Sequence, residues 1–313
     1  MRGLLTTLLL MLTLSVGTLF AQALNTQNEL ILSAPLNKES LARLLSVKNT
    51  TNKAVSLEKL VLTGDMATAF HLSTAVTFPL SIPANDSVQL AFTFKPLEKA
   101  ALYKAILEVY SPAFESGKSN VNLYGLATAG LTPEQEPSLH MILQALGYKI
   151  NVGTQQNEIG MSAEPMGEEM KVSRFRSSSQ KPIIIKPLAR YSAQEDVPFG
   201  IFYEDGGQIK YLKTATLSDY YLQHHTLFPR LSSGKTYTAA IVQAFGIFAS
   251  NAKKAVYTDK SLNPEMHHAC RIYPLRDRAG NKLENAFILC FEEGDNSDFQ
   301  DYVFLIENVV PLP

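Results

Sequence analysis

The chain has no tryptophan and only two cysteines, and beyond its first 23 residues it has no apolar run long enough to span a bilayer. The missing tryptophan removes the commonest sugar-stacking ring, although 13 Tyr and 16 Phe remain to stack in its place. Charge of one sign is also missing. Lys and Arg number 28, Asp and Glu 29, and a net charge of -1 gives no reason to expect nucleic acid or an anionic membrane as partner. There is no G-x-S-x-G, no H-E-x-x-H and no P-loop, which removes the commonest signatures of hydrolases, zinc proteases and nucleotide-binding enzymes. With 29 acidic residues to choose from, a glycosidase carboxylate pair cannot be picked by sequence.

What is present begins with an export signal. Met1-Arg2 is a positive n-region, Leu4 to Phe20 is uncharged and apolar, and Ala21-Gln22-Ala23 has the small-x-small form of a signal-peptidase site. Residues 1–23 are read as a signal peptide, the alternative being an uncleaved anchor. The mature chain then begins at Leu24, outside the cytoplasm (secreted, periplasmic or at the cell surface), with no membrane insertion after cleavage. Hydrophobic residues at 46% and charged residues at 18% fit a chain with a substantial core, long enough for two domains. In an exported chain, Cys270 and Cys290 read as a disulfide across a hairpin turning at Ala279–Gly280, with Cys270 opposite Cys290, Ile272 opposite Ile288 and Tyr273 opposite Phe287. Two free buried thiols are the alternative.

Residues 24–130 read as short strands separated by turns. Val88, Leu90, Phe92 and Phe94 alternate with Gln89, Ala91 and Thr93, and Ala105, Leu107 and Val109 repeat the period of a strand with one apolar face. Leu62-Thr63-Gly64-Asp65, Phe70-His71-Leu72, Pro83 with Asn85-Asp86-Ser87, and Phe92-Thr93-Phe94-Lys95-Pro96 follow in order. Ala105 to Val109 and Val121 to Ala127 complete the set. The series resembles the ASH-type (abnormal spindle/hydin) immunoglobulin-like modules. That resemblance implies a spacer or scaffolding β-sandwich, not a catalyst.

Thr132 to Pro137 reads as a linker. Leu139, Ile142, Leu143 and Leu146 then lie on one stripe of a short junction helix stopped by Gly147, packed on the second domain or free to bind a partner. Tyr148 to Gly153 looks like an entering strand. Residues 131–313 read as a larger, jelly-roll-like β-sandwich, so the expected fold class is all-β with two sandwiches. Phe199-Gly200-Ile201-Phe202 recurs as Phe245-Gly246-Ile247-Phe248, suggesting equivalent strands on facing sheets.

The chemically densest stretch holds Glu292, Glu293, Asp295, Asp298 and Asp301 within ten residues. So much negative charge is costly unless solvent or a cation relieves it. Ca²⁺ suits several hard oxygen ligands in flexible geometry, with Asp298, Asp301 and Glu292 or Glu293 converging; a solvated acidic turn is the alternative. The segment also resembles an uncharacterised class of bacterial extracellular β-sandwich domains with a Phe-Glu-Asp or Phe-Glu-Glu strand end and an Asp-aromatic-x-Asp lead into a final strand. Here Asp298-Phe299-Gln300-Asp301 matches, and Glu293 replaces the commoner Asp. His224-His225 and His267-His268 are adjacent pairs whose members point to opposite faces on a strand, so neither pair alone suits a zinc ion. The expectation is a secreted, non-enzymatic binding or structural protein engaging extracellular glycan, matrix or a protein partner. An extracellular polysaccharide hydrolase (or its accessory) and an envelope assembly subunit are the alternatives.

Overall fold

A computed structural model describes residues 24–312 apart from 161, 163, 221, 252–253, 264–267 and 295. The expected signal peptide, His267 and Asp295 lie outside the described residues. The protein is nearly all β, as its alternating segments imply, with one α-helix among the described residues.

In the first sandwich, sheet I runs in the order Leu24–Thr26, Arg43–Asn49, Ser87–Phe94, Phe70–Leu72. Sheet II runs Glu29–Pro35, Lys118–Thr128, Leu102–Tyr110, Lys59–Thr63. The strand Glu29–Pro35 pairs in parallel with Lys118–Thr128, with Leu30 beside Leu123. The period-two pattern does what it should: Leu90, Phe92 and Phe94 of sheet I meet Tyr103, Ala105, Leu107 and Val109 of sheet II in one core. Phe94 packs edge-on against Tyr103 with ring centroids 5.3 Å apart.

In the second sandwich, sheet III runs Leu231–Gly234, Gln208–Leu217, Val197–Asp205, Phe245–Ser250, Arg174–Ser177, Val309–Leu312. Sheet IV runs His225–Leu227, Ile183–Tyr191, Tyr302–Glu307, Lys282–Phe291, Cys270–Arg276. Sheet IV explains why Ala286 to Phe291 and Tyr302 to Ile306 do not alternate in polarity. Phe287, Leu289, Phe291, Phe304 and Ile306 face sheet III, whereas Ala286, Ile288, Cys290, Val303 and Leu305 face the other way and are equally buried. A sheet with both faces covered requires near-continuous apolar strands.

The cover on that second face is helix α1, Leu139–Leu146, together with the outer face of the first sandwich. Ser138 caps the helix, its Oγ accepting from Met141 N at 3.3 Å, and Gly147 ends it in the left-handed region at φ +84°. Tyr148 N donates to Leu143 O at 2.8 Å, closing a Schellman turn. A helix this short has little stability alone; it is held by burial of Leu139, Ile142, Leu143, Ala145 and Leu146 in a cluster shared with Leu126, Ile31 and Leu102 of the first sandwich. The stripe is therefore not free for an external partner. Polar contacts fasten the same junction. Ser33 Oγ accepts from Leu227 N at 2.8 Å, and Arg278 Nη2 donates to Glu29 Oε2 at 2.7 Å.

Three expectations need correction. Cys270 pairs with Phe291 and Arg271 with Cys290, one residue away from the expected register. A slip of one reverses every side chain, so Cys270 enters the core between sheets III and IV while Cys290 lies on the helix-covered face. Both thiols are free and buried, and burial pushes both well above the ordinary thiol range. The two Phe-Gly-Ile-Phe strands are antiparallel neighbours in one sheet rather than on facing sheets, with Phe202 beside Gly246 and Gly200 beside Phe248. A Cβ on Gly246 would lie 2.3 Å from Phe202 Cζ, so the glycine makes room for the ring across from it. Tyr148 to Gly153 is an irregular connection, not a strand.

Two measurements check this packing. Leu143→Ala, which empties a site 1% exposed, is expected to lower unfolding free energy by about 2–5 kcal/mol. The same change at Leu44, 56% exposed, should fall within about 0.5 kcal/mol. Reductant should leave the thermal midpoint unchanged, whereas loss of a disulfide would cost on the order of 3 kcal/mol.

Candidate functional site

The acidic segment folds in on itself. Glu292, Asp298 and Asp301 are 0%, 3% and 7% exposed, which overturns the solvated-turn alternative. Glu292 Oε2 accepts from Asp298 N and Phe299 N at 2.8 and 3.1 Å, holding a turn in which Ser297 and Phe299 have φ of +63° and +60°. Such backbone is disfavoured for residues with a side chain, and the carboxylate is what holds it. Asp301 Oδ2 accepts from Glu293 N at 2.6 Å. Asp298 Oδ2 accepts from Asn296 Nδ2 and Gln300 Nε2 at 2.6 and 2.8 Å. Glu293 Oε2 accepts from Asn251 Nδ2 at 2.7 Å and from the Tyr302 hydroxyl.

These oxygens thus serve N–H and O–H donors. No set of three His, Cys, Asp or Glu side chains among the described residues is arranged to hold a metal ion; Asp295 lies outside them. Burial, with the Glu292 charge beside it, pushes Asp298 up to about 7. Burial and the charges of Glu292 and Glu293 push Asp301 well above the carboxylate range, and burial raises Glu293.

The histidines are tied down as well. His225 Nε2 donates to Glu136 Oε1 at 2.7 Å, and Glu136 Oε2 accepts from Gln300 Nε2 at 3.0 Å, linking the start of the helix to the acidic turn. His268 Nε2 donates to Glu169 Oε1 at 2.8 Å, and the fully buried Arg271 donates to the other oxygen of Glu169. Burial alone would raise Glu169, but the hydrogen bonds from His268 and Met166 N and the Arg271 charge hold it below its usual range. Burial lowers His224 to about 4, with His225 and Arg190 adding to the effect. His225 and His268 thus serve separate carboxylates, and His267 lies outside the described residues.

The site that sequence reasoning missed is a cleft of about 930 Å³ where the two sandwiches meet. Lys104 and Tyr124 enter from the outer face of sheet II, and His140, Gln144 and Tyr148 from the helix and its end. Arg276, Arg278 and Gly280 come from the hairpin turn of sheet IV, and Lys149, Asn151 and Glu168 from the connection beside it. Arg276 Nε donates to both Glu168 oxygens at 3.0 and 3.1 Å. The Arg278 guanidinium lies 4.0 Å over the Tyr124 ring and pairs with Glu29. Gly147 permits this, since a Cβ there would sit 2.6 Å from Arg278 Nη2. Lys104 and Lys149 form no ion pair recorded among the described residues. Burial pushes Tyr148 up to about 12, with Glu307 and Glu29 adding to the effect.

A smaller aromatic surface occupies the outer face of sheet III. Tyr211, 55% exposed, packs edge-on against Phe248 at 5.4 Å, and its hydroxyl is 3.2 Å from that of Tyr257.

No family model matches the chain, and no curated protein is similar to it. Solved structures resemble it weakly. The secreted serine protease VesC from Vibrio cholerae is 10% identical, with TM-score 0.29 over 93% of this chain and 51% of that one. The CupB2 chaperone of Pseudomonas aeruginosa is 10% identical, with TM-score 0.26 over 74% of this chain and 96% of that one. The ASH/PapD-like domain of human CEP192 is 14% identical, with TM-score 0.24 over 41% and 99%. The chain spans about half the length of the first of these. At such scores the likenesses carry no functional argument.

The acidic turn generates a pH prediction. Asp298 has a folded pKa raised above its unfolded value, so its contribution is fully present at acid pH and is lost as pH rises from about 4 to about 7. Asp298→Asn should flatten that part of the stability–pH curve, read by thermal unfolding. Calcium should leave the wild-type midpoint unchanged if the turn is held by its own hydrogen bonds. A rise with calcium that chelator reverses and Asp298→Ala/Asp301→Ala abolishes would establish the ion site.

Proposed function

We propose that this chain is an exported, non-enzymatic binding protein whose two sandwiches share one ligand cleft. The observation that supports this is the cleft itself, lined from both sandwiches and the helix between them by basic, amide and hydroxyl groups. Its volume lies near the top of the roughly 300–1,000 Å³ typical of small-molecule sites. An acid–base catalyst needs a titratable group free to meet the transferred proton. The carboxylate lining this cleft, Glu168, is held by Arg276, and His140 is the imidazole there, without a cysteine or serine beside it in the lining. Among the residues that suggested chemistry in the sequence, His225, His268, Glu293, Asp298 and Asp301 are engaged in internal hydrogen bonds.

On this reading the first sandwich does more than space the second, because it supplies Lys104 and Tyr124. The partner is extracellular, a glycan or a protein. Among the described residues no helix is long and apolar enough to cross a membrane. Calcium at the acidic turn is a separate proposal, resting on charge density and on a buried Glu292 Oε1 that has no hydrogen-bond partner among the described residues.

Binding of the mature chain to an array of extracellular polysaccharides and proteins tests the proposal. The expected result is retention by a subset of partners, recovered chemically unchanged after long incubation and lost for Gln144→Trp, which fills the cleft from an exposed position. Release of new reducing ends or peptide fragments by the pure protein would instead make it a hydrolase.

A further inference from the structure

On the reading that the cleft is the binding site, we infer that its ligand is an acidic oligosaccharide, one whose sugar rings carry carboxylate or sulfate groups. Three observations carry this. First, charge: the chain as a whole is balanced at -1, yet four cations line the cleft against one lining carboxylate. Glu168 and the adjacent Glu29 pair with Arg276 and Arg278. Lys104 and Lys149 remain as exposed charges with no ion pair recorded among the described residues. Lys104 approaches from the first sandwich and Lys149 from the connection that follows the helix, and low-dielectric walls between them focus their field on the cleft.

Second, orientation. Arg276 already meets a carboxylate as a fork, with Nε and Nη2 within 3.1 Å of Glu168 oxygens. Arg278 is braced on Tyr124 and by a 3.4 Å bond to Gln144 O. With every nitrogen of both guanidiniums engaged by Glu168, Glu29, Gly280 O and Gln144 O, the arginines hold the walls of the cleft in place and leave Lys104 and Lys149 as the cations that meet a ligand anion. Third, the kind of body between the charges. Gln144, Asn151, Thr154 and Gln155 offer amide and hydroxyl groups, whereas the aliphatic lining is limited to Ile150, itself buried at 5% exposure, and Ala279. A peptide or a nucleobase would look for an apolar pocket to anchor a side chain or ring. A hydroxylated ring needs hydrogen-bond partners and a flat face, which the Arg278–Tyr124 stack supplies.

Calorimetric titration of the mature chain separates the outcomes. The probes are an oligogalacturonate, a sulfated oligosaccharide of equal length, a neutral malto-oligosaccharide and an oligoglutamate, each at low and high salt. The expected result is binding of at least one acidic sugar, weakened by salt, and weakened about tenfold or more by Lys104→Glu/Lys149→Glu. Both lysines are exposed, so that variant should keep the wild-type melting temperature. The carboxylated and sulfated arms decide which anion is preferred. Salt-independent binding of the neutral sugar, abolished by Gln144→Trp, would overturn the acidic class while leaving the cleft as the site. Stronger binding of oligoglutamate than of any sugar would overturn it in favour of an acidic peptide. Binding of acidic sugar that survives both Gln144→Trp and the lysine variant would overturn the cleft reading itself. Binding of neither acidic sugar overturns this inference.

Discussion

The central stretches of sheet IV, from Ala286 to Phe291 and from Tyr302 to Ile306, leave no face for water, and much of the molecule follows from that. A sheet in a lone sandwich buries one side; here Ile288, Cys290, Val303 and Leu305 form a second apolar side that must be covered. Each large aliphatic side chain withdrawn from water contributes on the order of 1.5–3 kcal/mol. That gain holds an eight-residue helix that would not persist alone, and through it the outer face of the first sandwich. The interdomain junction is therefore a core rather than a linker contact. The cleft exists because the junction is fixed, with its walls belonging to two sandwiches.

The same constraint accounts for the buried polar networks. Where strand ends and the helix start converge beneath the surface, backbone groups lose water and must find partners in the protein. Glu292 and Asp301 supply them at the acidic turn, and Glu136 joins His225 to Gln300 beside it. Burial, and then the repulsion between carboxylates gathered for this purpose, is why Asp298 and Asp301 titrate high. The density of acid in the sequence thus reads as loop architecture in the first instance.

What the sequence made legible follows how strongly each pattern constrains geometry. Leu90, Phe92 and Phe94 alternate because sheet I has one wet face, and Leu139 to Leu146 carry a stripe ended by a glycine, so both were readable. The pairing of Cys270 was not. On a strand apolar on both sides, a shift of one residue costs no visible polarity mismatch, and the turn at Asp277–Asn281 sets the register instead. The Phe-Gly-Ile-Phe echo was real but misplaced: each glycine lies beside the other segment's phenylalanine, a relation only pairing reveals. The cleft was not legible because Lys104, Lys149, Arg276 and Arg278 are scattered along the chain. Arg276-Asp277-Arg278 at a hairpin tip was the one local hint, and it read simply as a turn.

The central claim is that the two sandwiches are one cooperative body welded through the second face of sheet IV. Scanning calorimetry of residues 24–313 tests it most directly. A single transition whose calorimetric and van't Hoff enthalpies agree is the expected result. Two resolved transitions, one for each sandwich, would contradict it and leave the cleft without a fixed shape.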